Sequence, residues 1–463
     1  MSVKTIGVMT GNSLDAVDAV LTGFDQGEIT DIASHTLPYP RELTEDLLVL
    51  RKRIKEKNGD ISSLENESFF NQTVTRYSSL VAKAVNALCA SSGIDKREIA
   101  AIGLHGQTCD HFPPSVAGTK APYTLQIADA ALIANLTDIP VIYDFRSDDL
   151  MNGGEGAPLA PLHNRHIAAD LKRKGLFPVA FCNAGNTGNI SVISQNDAGK
   201  ETVSGWDIGP FNHFADLLVR TKENIPCDLN GEIGRKGEIV PAVLSELFET
   251  AARTSEGKNF YLQPPPKSSD PQWYQADTDK LCRAYGFENV LRTVEYLSAY
   301  TFVHSLNFIA GETEMPHTFL LFGGGWKNPL IRQDFQTLLA GKGLILKQHQ
   351  NLFSTVLSRF SRSPEVFFSD RIGYSGEYME ARIFADMAYC RIIKEPFTLP
   401  ETTNCKTPTV CGIYVLPETN GHYLLTDLLD TYKSADLTDN SWNKKYNRAA
   451  KGWQSRLNQT EKL

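Results

Sequence analysis

Three short glycine-centred turns, each tied to an acid or an amide, constrain this 463-residue chain more than any other feature: Gly7-Val-Met-Thr-Gly-Asn-Ser-Leu-Asp15, Asn183-Ala-Gly-Asn-Thr-Gly-Asn-Ile-Ser191 and Phe322-Gly-Gly-Gly-Trp-Lys-Asn-Pro329. The first two each follow one apolar run and lead into another. A β-hairpin presents backbone N–H groups to phosphate oxygens from such a turn. The third lets a ligand approach the backbone closely. One Gly-Asn or Thr-Gly pair between strands marks only a hairpin. Three of them with a candidate base in between look like the nucleotide grip of a two-lobed phosphotransferase.

A chain of this length buries a substantial core without staples and has room for two or three domains. Its 41% hydrophobic and 22% charged residues are ordinary for a globular protein, and a net charge of −8 argues against a general nucleic-acid binder. Small-molecule substrates are expected. No stretch reaches the length of a membrane span, and Met1-Ser-Val-Lys-Thr-Ile-Gly7 enters a strand without a signal-peptide core, so a cytoplasmic protein with no membrane partner is expected. The 8 cysteines are scattered, with no CxxC pair and no histidine cluster at metal-ligand spacing. They read as reduced, and neither a disulfide framework nor a zinc site is suggested.

The opening reads as a meander of strands over residues 5–9, 17–22 and 29–37. Phe70, Val74, Tyr77, Val81, Val85 and Leu88 keep a three-or-four spacing that predicts one long amphipathic helix ending near Gly93. Strands over 99–104 and 141–145 flank a helix over 129–136. A second lobe repeats the theme with strands over 179–182 and 190–193 and a helix over 212–220. Residues 222–271 are polar and rich in Gly and Pro, which reads as a surface insertion. Helices over 290–309 and 377–392 bracket a strand over 318–322, and the last helix crosses back to the first lobe. The fold class is α/β, with lobe I at 1–168 completed by 372–416, lobe II at 169–371, and a C-terminal extension at 417–463. Within that extension Trp442, Tyr446, Ala450, Trp453 and Leu457 form an aromatic stripe expected to dock on the protein itself.

Phosphoryl transfer needs charge neutralised on the transferred group and a positioned nucleophile. Asp15 ends the first turn, where it either orients a magnesium-bound water or satisfies local backbone as an Asx-turn. Asp207, in Gly205-Trp-Asp-Ile-Gly-Pro-Phe-Asn212, is the strongest candidate base; its alternative is a helix N-cap. His105-Gly-Gln107 ends a strand with a donor-rich turn suited to sugar hydroxyls. Asp144-Phe-Arg146-Ser-Asp-Asp149 places charge at a strand's carboxyl end, where α/β sheets tend to hold ligands, and leads to the glycine loop Gly153-Gly-Glu-Gly-Ala-Pro158. Glu380 lies on an otherwise apolar helix face and needs a partner or ligand.

At these positions the chain resembles the anhydro-N-acetylmuramic acid kinases, members of the sugar kinase, Hsp70 and actin superfold. The likeness runs through most of residues 3–415 in eight ordered motifs: Gly7 to Asp18, Leu104 to Thr108, Gly153 to Leu159, Asn183 to Ser191, Trp206 to Asn212, Pro265 to Ser268, Gly323 to Pro329 and Met379-Glu-Ala381. It implies a two-lobed ribonuclease H-like fold with a central interlobe cleft. It also implies an ATP- and Mg2+-dependent sugar kinase of amino sugar metabolism and peptidoglycan recycling, in which opening of a 1,6-anhydro ring by water is coupled to 6-phosphorylation. Asp207 would be the base that activates the water. Asn12, His105, Arg146, Asp148 and Glu380 would line the sugar side. Gly11, Ser13, Asp15, Gly185, Asn186, Gly188, Gly323, Gly324, Gly325 and Asn328 would hold the nucleotide, with Asp15 reaching the metal through water. A homodimer is kept open.

The departures from the pattern define the alternatives. Asp-Phe-Arg-Arg-Arg-Asp of the family is Asp144-Phe-Arg-Ser-Asp-Asp149 here, so two arginines are lost. If Ser147 and Asp148 face the sugar, a carboxylate-bearing muramic ligand is disfavoured by about 1–3 kcal/mol, roughly ten- to a hundred-fold, and a neutral anhydrosugar gains. Asn12, Asn186 and Phe211 replace smaller family residues. A bulky ring at 211 threatens to narrow the site, and together with Asn186 and the added tail it motivates the second reading, a non-catalytic sugar- or nucleotide-binding relative.

Overall fold

The computed structural model describes residues 2–11, 13–117, 121–265, 267, 269 and 273–418. Asn12 and the aromatic stripe between Trp442 and Leu457 lie outside them. Two compact units result, one from the residues up to Ile167 together with those from Gly373 onward, the other from Ala168–Ile372.

In chain order the first segment holds β1 (Val3–Thr10), β2 (Ala16–Asp25), β3 (Glu28–Pro38), α1 (Arg41–Glu56), α2 (Ser68–Ser92), β4 (Ile99–Leu104), β5 (Gln107–Phe112), α3 (Pro114–Ala117), β6 (Tyr123–Ile127), α4 (Ala130–Thr137), β7 (Val141–Tyr143), α5 (Phe145–Met151) and α6 (Ala160–Arg173). The second unit continues with β8 (Val179–Ala184), β9 (Thr187–Gln195), β10 (Glu201–Pro210), α7 (Asn212–Glu223), α8 (Pro241–Thr250), α9 (Thr278–Tyr285), α10 (Phe287–Ser305), β11 (Thr318–Phe322), α11 (Pro329–Leu339), α12 (Gln350–Ser358) and β12 (Glu365–Phe368). The chain then returns as α13 (Met379–Ile393), α14 (Pro400–Thr403) and β13 (Ile413–Val415).

The two main sheets share one plan. In the first the order is β13-β7-β4-β1-β2-β3, in the second β10-β9-β8-β11-β12. Each begins with a three-strand antiparallel meander, β1-β2-β3 or β8-β9-β10, whose first strand then pairs in parallel with β4 or β11. A further parallel strand follows, β7 or β12. This repeated order is the α/β arrangement expected of the sugar kinase, Hsp70 and actin superfold.

Local chemistry explains the elements that position the site. α2 buries Phe70, Val74, Tyr77, Val81, Val85 and Leu88, and Gly93 ends it in the left-handed conformation at φ 68°. α13 lies directly on the first sheet, because β1 and β4 each present a glycine to it. A Cβ on Gly7 would overlap the Ala381 carbonyl, and one on Gly103 the Phe384 carbonyl. Thr5 Oγ1 donates to the Ala385 carbonyl at 2.8 Å and fixes the crossing.

Two expectations are corrected. The stretch 222–271 is not all surface loop, since α8 sends Val243, Leu244, Leu247 and Phe248 into the core of the second unit. Gly and Pro concentrated at its ends masked a helix with ordinary periodicity. The strand expected over 141–145 ends at Tyr143, and the acids that follow at its carboxyl end are carried on α5, which starts from Asp144 in the left-handed conformation at φ 58°.

Candidate functional site

In the first unit the turn between β1 and β2 is held by side chains. Asp15 Oδ1 accepts from Ser13 Oγ at 2.7 Å and from the N–H of the next residue, Ala16, at 2.9 Å, so the carboxylate satisfies local groups without the i,i+2 bond of an Asx-turn, and the side chain stays exposed. The Gly11 carbonyl accepts from Gln107 Nε2 at 3.2 Å, and Gln107 Oε1 accepts from Tyr39 Oη at 2.8 Å. The His105-Gly-Gln107 turn therefore braces the first glycine turn through its glutamine.

His105 itself serves another partner. Its Nε2 accepts from Arg146 Nε at 3.3 Å and lies 3.1 Å from Arg146 Nη2, which leaves the ring proton on Nδ1. Burial, then the Arg146 charge, hold the imidazole well below its usual range, so it is neutral at pH 7. Arg146 Nη1 also donates to the Gly156 carbonyl at 2.7 Å. Burial lowers the guanidinium to about 10, with Asp149 and Glu380 opposing, and it stays charged. Glu380, on the first turn of α13, is raised above the ordinary carboxyl value by desolvation, then by Asp18, against Arg146; its side chain reaches solvent, so the desolvation is partial. Asp18 is raised too, chiefly by burial, and its Oδ1 accepts from Thr36 Oγ1 at 2.6 Å.

The glycine loop is strapped to α5 by Asp149, which is fully buried. Its Oδ2 accepts from the Gly156 N–H and its Oδ1 from Thr403 Oγ1, both at 2.7 Å. Asp149 also occupies the space a Gly154 side chain would need. Two residues replaced relative to the family turn inward from the same helix. Ser147 Oγ donates to Asp144 Oδ1 at 2.5 Å, and Asp148 Oδ2 accepts from the Gly412 N–H at 2.7 Å. Arg146 and Asp148 stand two residues apart on a helix and cannot share a face. The first unit thus groups Asp15, His105, Arg146 and Glu380, whereas Asp148 secures the approach to β13.

In the second unit the turn between β8 and β9 is held by main chain: the Asn186 carbonyl accepts from the Phe211 N–H at 3.0 Å and the Gly185 carbonyl from the Asn212 N–H at 3.2 Å. Gly323 takes φ 92° and presses on Ala184, where a Cβ would lie 2.7 Å from the carbonyl. Gly188 and Gly325 both abut Phe211, whose ring a Cβ would meet at 3.1 and 2.5 Å. Gly324 has open space around it, and Asn186 is exposed. Asn328 caps α11: its Oδ1 accepts from the Leu330 N–H at 2.9 Å, and its Nδ2 donates to Glu295 Oε1 at 2.7 Å. Burial, then Asp228, raise Glu295 to about 8.

Phe211 does not obstruct this surface. Its φ of −116° needs no glycine, and its ring is buried edge-on against Phe302 and Trp326 at centroid distances of 5.6 and 5.1 Å.

Asp207 sits where the β9–β10 ladder slips, between Asp207 paired with Asn189 and Gly209 paired with Gly188. A bulge re-aims side chains, and such bulges recur beside active sites. The carboxylate is not an N-cap. Its Oδ2 accepts from the Ser269 N–H at 2.8 Å and from Ser269 Oγ at 3.2 Å. Ser269 Oγ lies 2.7 Å from Tyr274 Oη, which lies 2.6 Å from Thr187 Oγ1. A hydrogen-bonded chain therefore joins the candidate base to the second glycine turn.

Sequence reasoning missed Ser269 and Lys267. The Lys267 carbonyl accepts from the Asp207 N–H at 3.1 Å, while its ammonium lies 4.5 Å from the Phe260 ring centre and 4.7 Å from that of Phe308. Burial lowers this lysine to about 7 against the pull of Asp207. The signal was the Pro-Pro-Lys-Ser run at 265–268, legible as a family motif but with no role attached to it. Among the described residues no helix is long and apolar enough to cross a membrane, and the eight cysteines are unpaired.

Comparison with known proteins agrees with the motifs. A model of the anhydro-N-acetylmuramic acid kinase family matches residues 3–361. The anhydro-N-acetylmuramic acid kinase of Haemophilus influenzae is 30% identical over 421 residues, spanning 88% of this chain and 96% of that protein. Likenesses among solved structures are remote. The ADPNP-bound activator of the 2-hydroxyisocaproyl-CoA dehydratase from Clostridium difficile shares 11% identity at a TM-score of 0.35, over 83% of this chain and 92% of that one. A ROK family glucokinase from Streptomyces griseus, in complex with glucose and AMPPNP, shares 13% at 0.33, over 83% and 98%.

Proposed function

Because this chain belongs to the anhydro-N-acetylmuramic acid kinase family and is a sugar kinase, we propose that it phosphorylates 1,6-anhydro-N-acetylmuramic acid on the bridging oxygen of C6 while water opens the anhydro ring. The observation that carries this reading is Asp207, an acid at a strand bulge, hydrogen-bonded through Ser269 and Tyr274 to Thr187 of a glycine turn.

Asp207 takes the proton of the attacking water as the water oxygen bonds to the anomeric carbon. The bond from that carbon to the ring-bridging oxygen breaks, and this oxygen, still on C6, receives the phosphoryl group. An acid suits the step, since water attacking an oxocarbenium-like carbon must shed a proton. Ser269 positions the carboxylate. Arg146, charged and held to the glycine loop, together with neutral His105 and Glu380, orients the sugar. With Ser147 and Asp148 turned to the protein, the case for excluding a carboxylate-bearing sugar loses its premise, and the muramic sugar is preferred over a neutral one.

The turns suit a nucleotide. Gly324 has open space and Asn186 is exposed, so backbone N–H groups there can meet phosphate oxygens, with Gly185, Gly188, Gly323 and Gly325 keeping the turns close-packed. ATP, when bound, supplies the γ-phosphoryl group. Magnesium would be held through water by the exposed Asp15 carboxylate, with Gly11 and Ser13 shaping its turn. Asn328 contributes by capping α11. The binding-only alternative is motivated by Phe211, Asn186 and the C-terminal extension; of these, the Phe211 ring lies in the core.

The test is ATP turnover by the purified protein with magnesium across anhydro-N-acetylmuramic acid, levoglucosan and hexoses, run in 18O-labelled water. Sugar phosphate carrying one 18O at the anomeric carbon is expected. Phosphate transfer without label would overturn the ring-opening step, and nucleotide binding without turnover would favour the binding-only relative.

A further inference from the structure

Helices α6 and α13 bring together a cluster that the proposed kinase reaction does not use. His166 Nδ1 lies 2.8 Å from Asp386 Oδ2, and Cys390 Sγ lies 3.6 Å from Asp386 Oδ1. One donor atom from each of the three residues falls within 4.8 Å of the others. His163 Nδ1 stands 2.8 Å from the same Asp386 Oδ2, and His166 Nε2 stands 3.6 Å from Glu395 Oε1. Asp386 and Cys390 are wholly buried, while the His166 side chain keeps 21% of its surface.

We infer that His166, Asp386 and Cys390 form a binding site for a divalent transition ion of the zinc type. The donor set is one imidazole nitrogen, one carboxylate oxygen and one thiolate sulfur, which suits a borderline-soft cation and not magnesium or calcium. Ligand atoms around tetrahedral zinc lie about 3.3–3.8 Å apart, as follows from its bond lengths. Of the observed spacings, 3.6 Å already falls in that range, 2.8 Å must open by about 0.5 Å, and the outer limit of 4.8 Å must close by about 1 Å. Charge balances as well, since a carboxylate and a thiolate neutralise a 2+ ion in a buried setting. Glu395 orients the far nitrogen of His166, the arrangement that usually supports a metal-bound imidazole, and His163 fixes Asp386. The exposed edge of His166 gives an entry path, and three protein donors leave one position for water.

A metal-free ion pair between Asp386 and the two histidines would account for the carboxylate. There the Cys390 thiol, one i,i+4 step from Asp386, donates a weak hydrogen bond to the other carboxylate oxygen; with metal bound the same sulfur becomes a thiolate donor. Sequence inspection finds no ligand spacing here because the donors come from helices separated by more than two hundred residues. Bound metal would fasten α6, which follows the glycine loop, to α13, which carries Glu380 and packs on Gly7 and Gly103.

The test is titration of the full-length, chelator-treated protein with Co2+, followed by displacement with Zn2+. One equivalent per chain is expected, with tetrahedral d–d bands and a thiolate-to-cobalt charge-transfer band. Cys390→Ser should abolish the charge-transfer band. Glu395→Gln, a half-exposed change that keeps the test readable if Cys390→Ser does not fold, should weaken affinity ten- to a hundred-fold. Absence of stoichiometric cobalt, a charge-transfer band that survives Cys390→Ser, or unchanged affinity in Glu395→Gln would each overturn the site and leave a metal-free ion pair.

Discussion

The hairpin of β1 and β2 and the hairpin of β8 and β9 occupy the same place in matching sheets, yet they are mounted differently. Side chains hold the first turn, with Gln107 on the Gly11 carbonyl and Ser13 on Asp15. Main-chain donors hold the second, from Phe211 and Asn212. Near the first, Arg146 at about 10 remains a cation, while burial keeps His105 neutral and raises Asp18 and Glu380. Around the second and third turns the buried ionisable groups are drawn toward neutrality, Lys267 to about 7 and Glu295 to about 8. One hairpin design thus serves two chemistries. A mount of carboxylates and a guanidinium suits a sugar and a hydrated cation, whereas a neutral mount leaves backbone N–H groups as the donors for phosphate.

Several substitutions would break or sharpen this contrast. The largest expected effect is at Asp207, the one acid placed at the neutral mount for chemistry: Asp207→Asn should lower kcat about a hundred- to ten-thousand-fold with nucleotide affinity near wild type, as read by ADP release and calorimetry. Normal turnover in this variant would remove the assigned base. Phe211→Ala should cost about 3–5 kcal/mol in urea unfolding, because the ring fills the space between Gly188 and Gly325. An unchanged midpoint would show that the second mount does not depend on that ring. On the charged side, Arg146→Gln should raise the KM for sugar roughly ten- to a hundred-fold, the worth of a charge-assisted hydrogen bond of about 1.5–3 kcal/mol. If kcat falls instead and KM holds, Arg146 acts in the reaction step and the division of labour between the hairpins fails.

The smallest effects are pH slopes, and they run in opposite directions. Lys267 has a folded value of about 7 against an ordinary 10.5, so the unfolded chain binds the extra proton between those limits and stability rises with pH across that window. Lys267→Met should flatten the rise in thermal melting curves. Glu295 has a folded value of about 8 against 4.5, so its contribution is full below 4.5 and is lost as pH climbs through 8. Glu295→Gln should remove that decline. Matching slopes in wild type and variant would mean the group in question is not buried as described.

Much of this architecture is written in local pattern. The spacing from Phe70 to Leu88 and the glycine at 93 define α2, and the apolar runs around the first two glycine turns define the hairpins. Direction is what pattern cannot supply. Ser147 and Asp148 look like sugar-facing replacements when the acids are read as a strand end, but a helix turns Asp148 to the Gly412 N–H. Phe211 looks obstructive until its χ angles are known, since the same residue can fill a site or a core. Lys267 and Ser269 come to Asp207 from sixty residues away, and the proline run that delivers them reads as surface.

The plan of the first unit also sets an order of events in time. Until α13 and β13 exist, β7 has no antiparallel neighbour on its outer edge, and the grooves over Gly7 and Gly103 lie open. The residues that fill them follow a second unit of roughly two hundred residues. At synthesis rates of about 5–20 residues per second, the first-made half of the protein waits on the order of 10–40 s for its own last strand. During that interval an unpaired parallel edge is exposed on the ribosome, while the later-made unit, being continuous in sequence, can finish first.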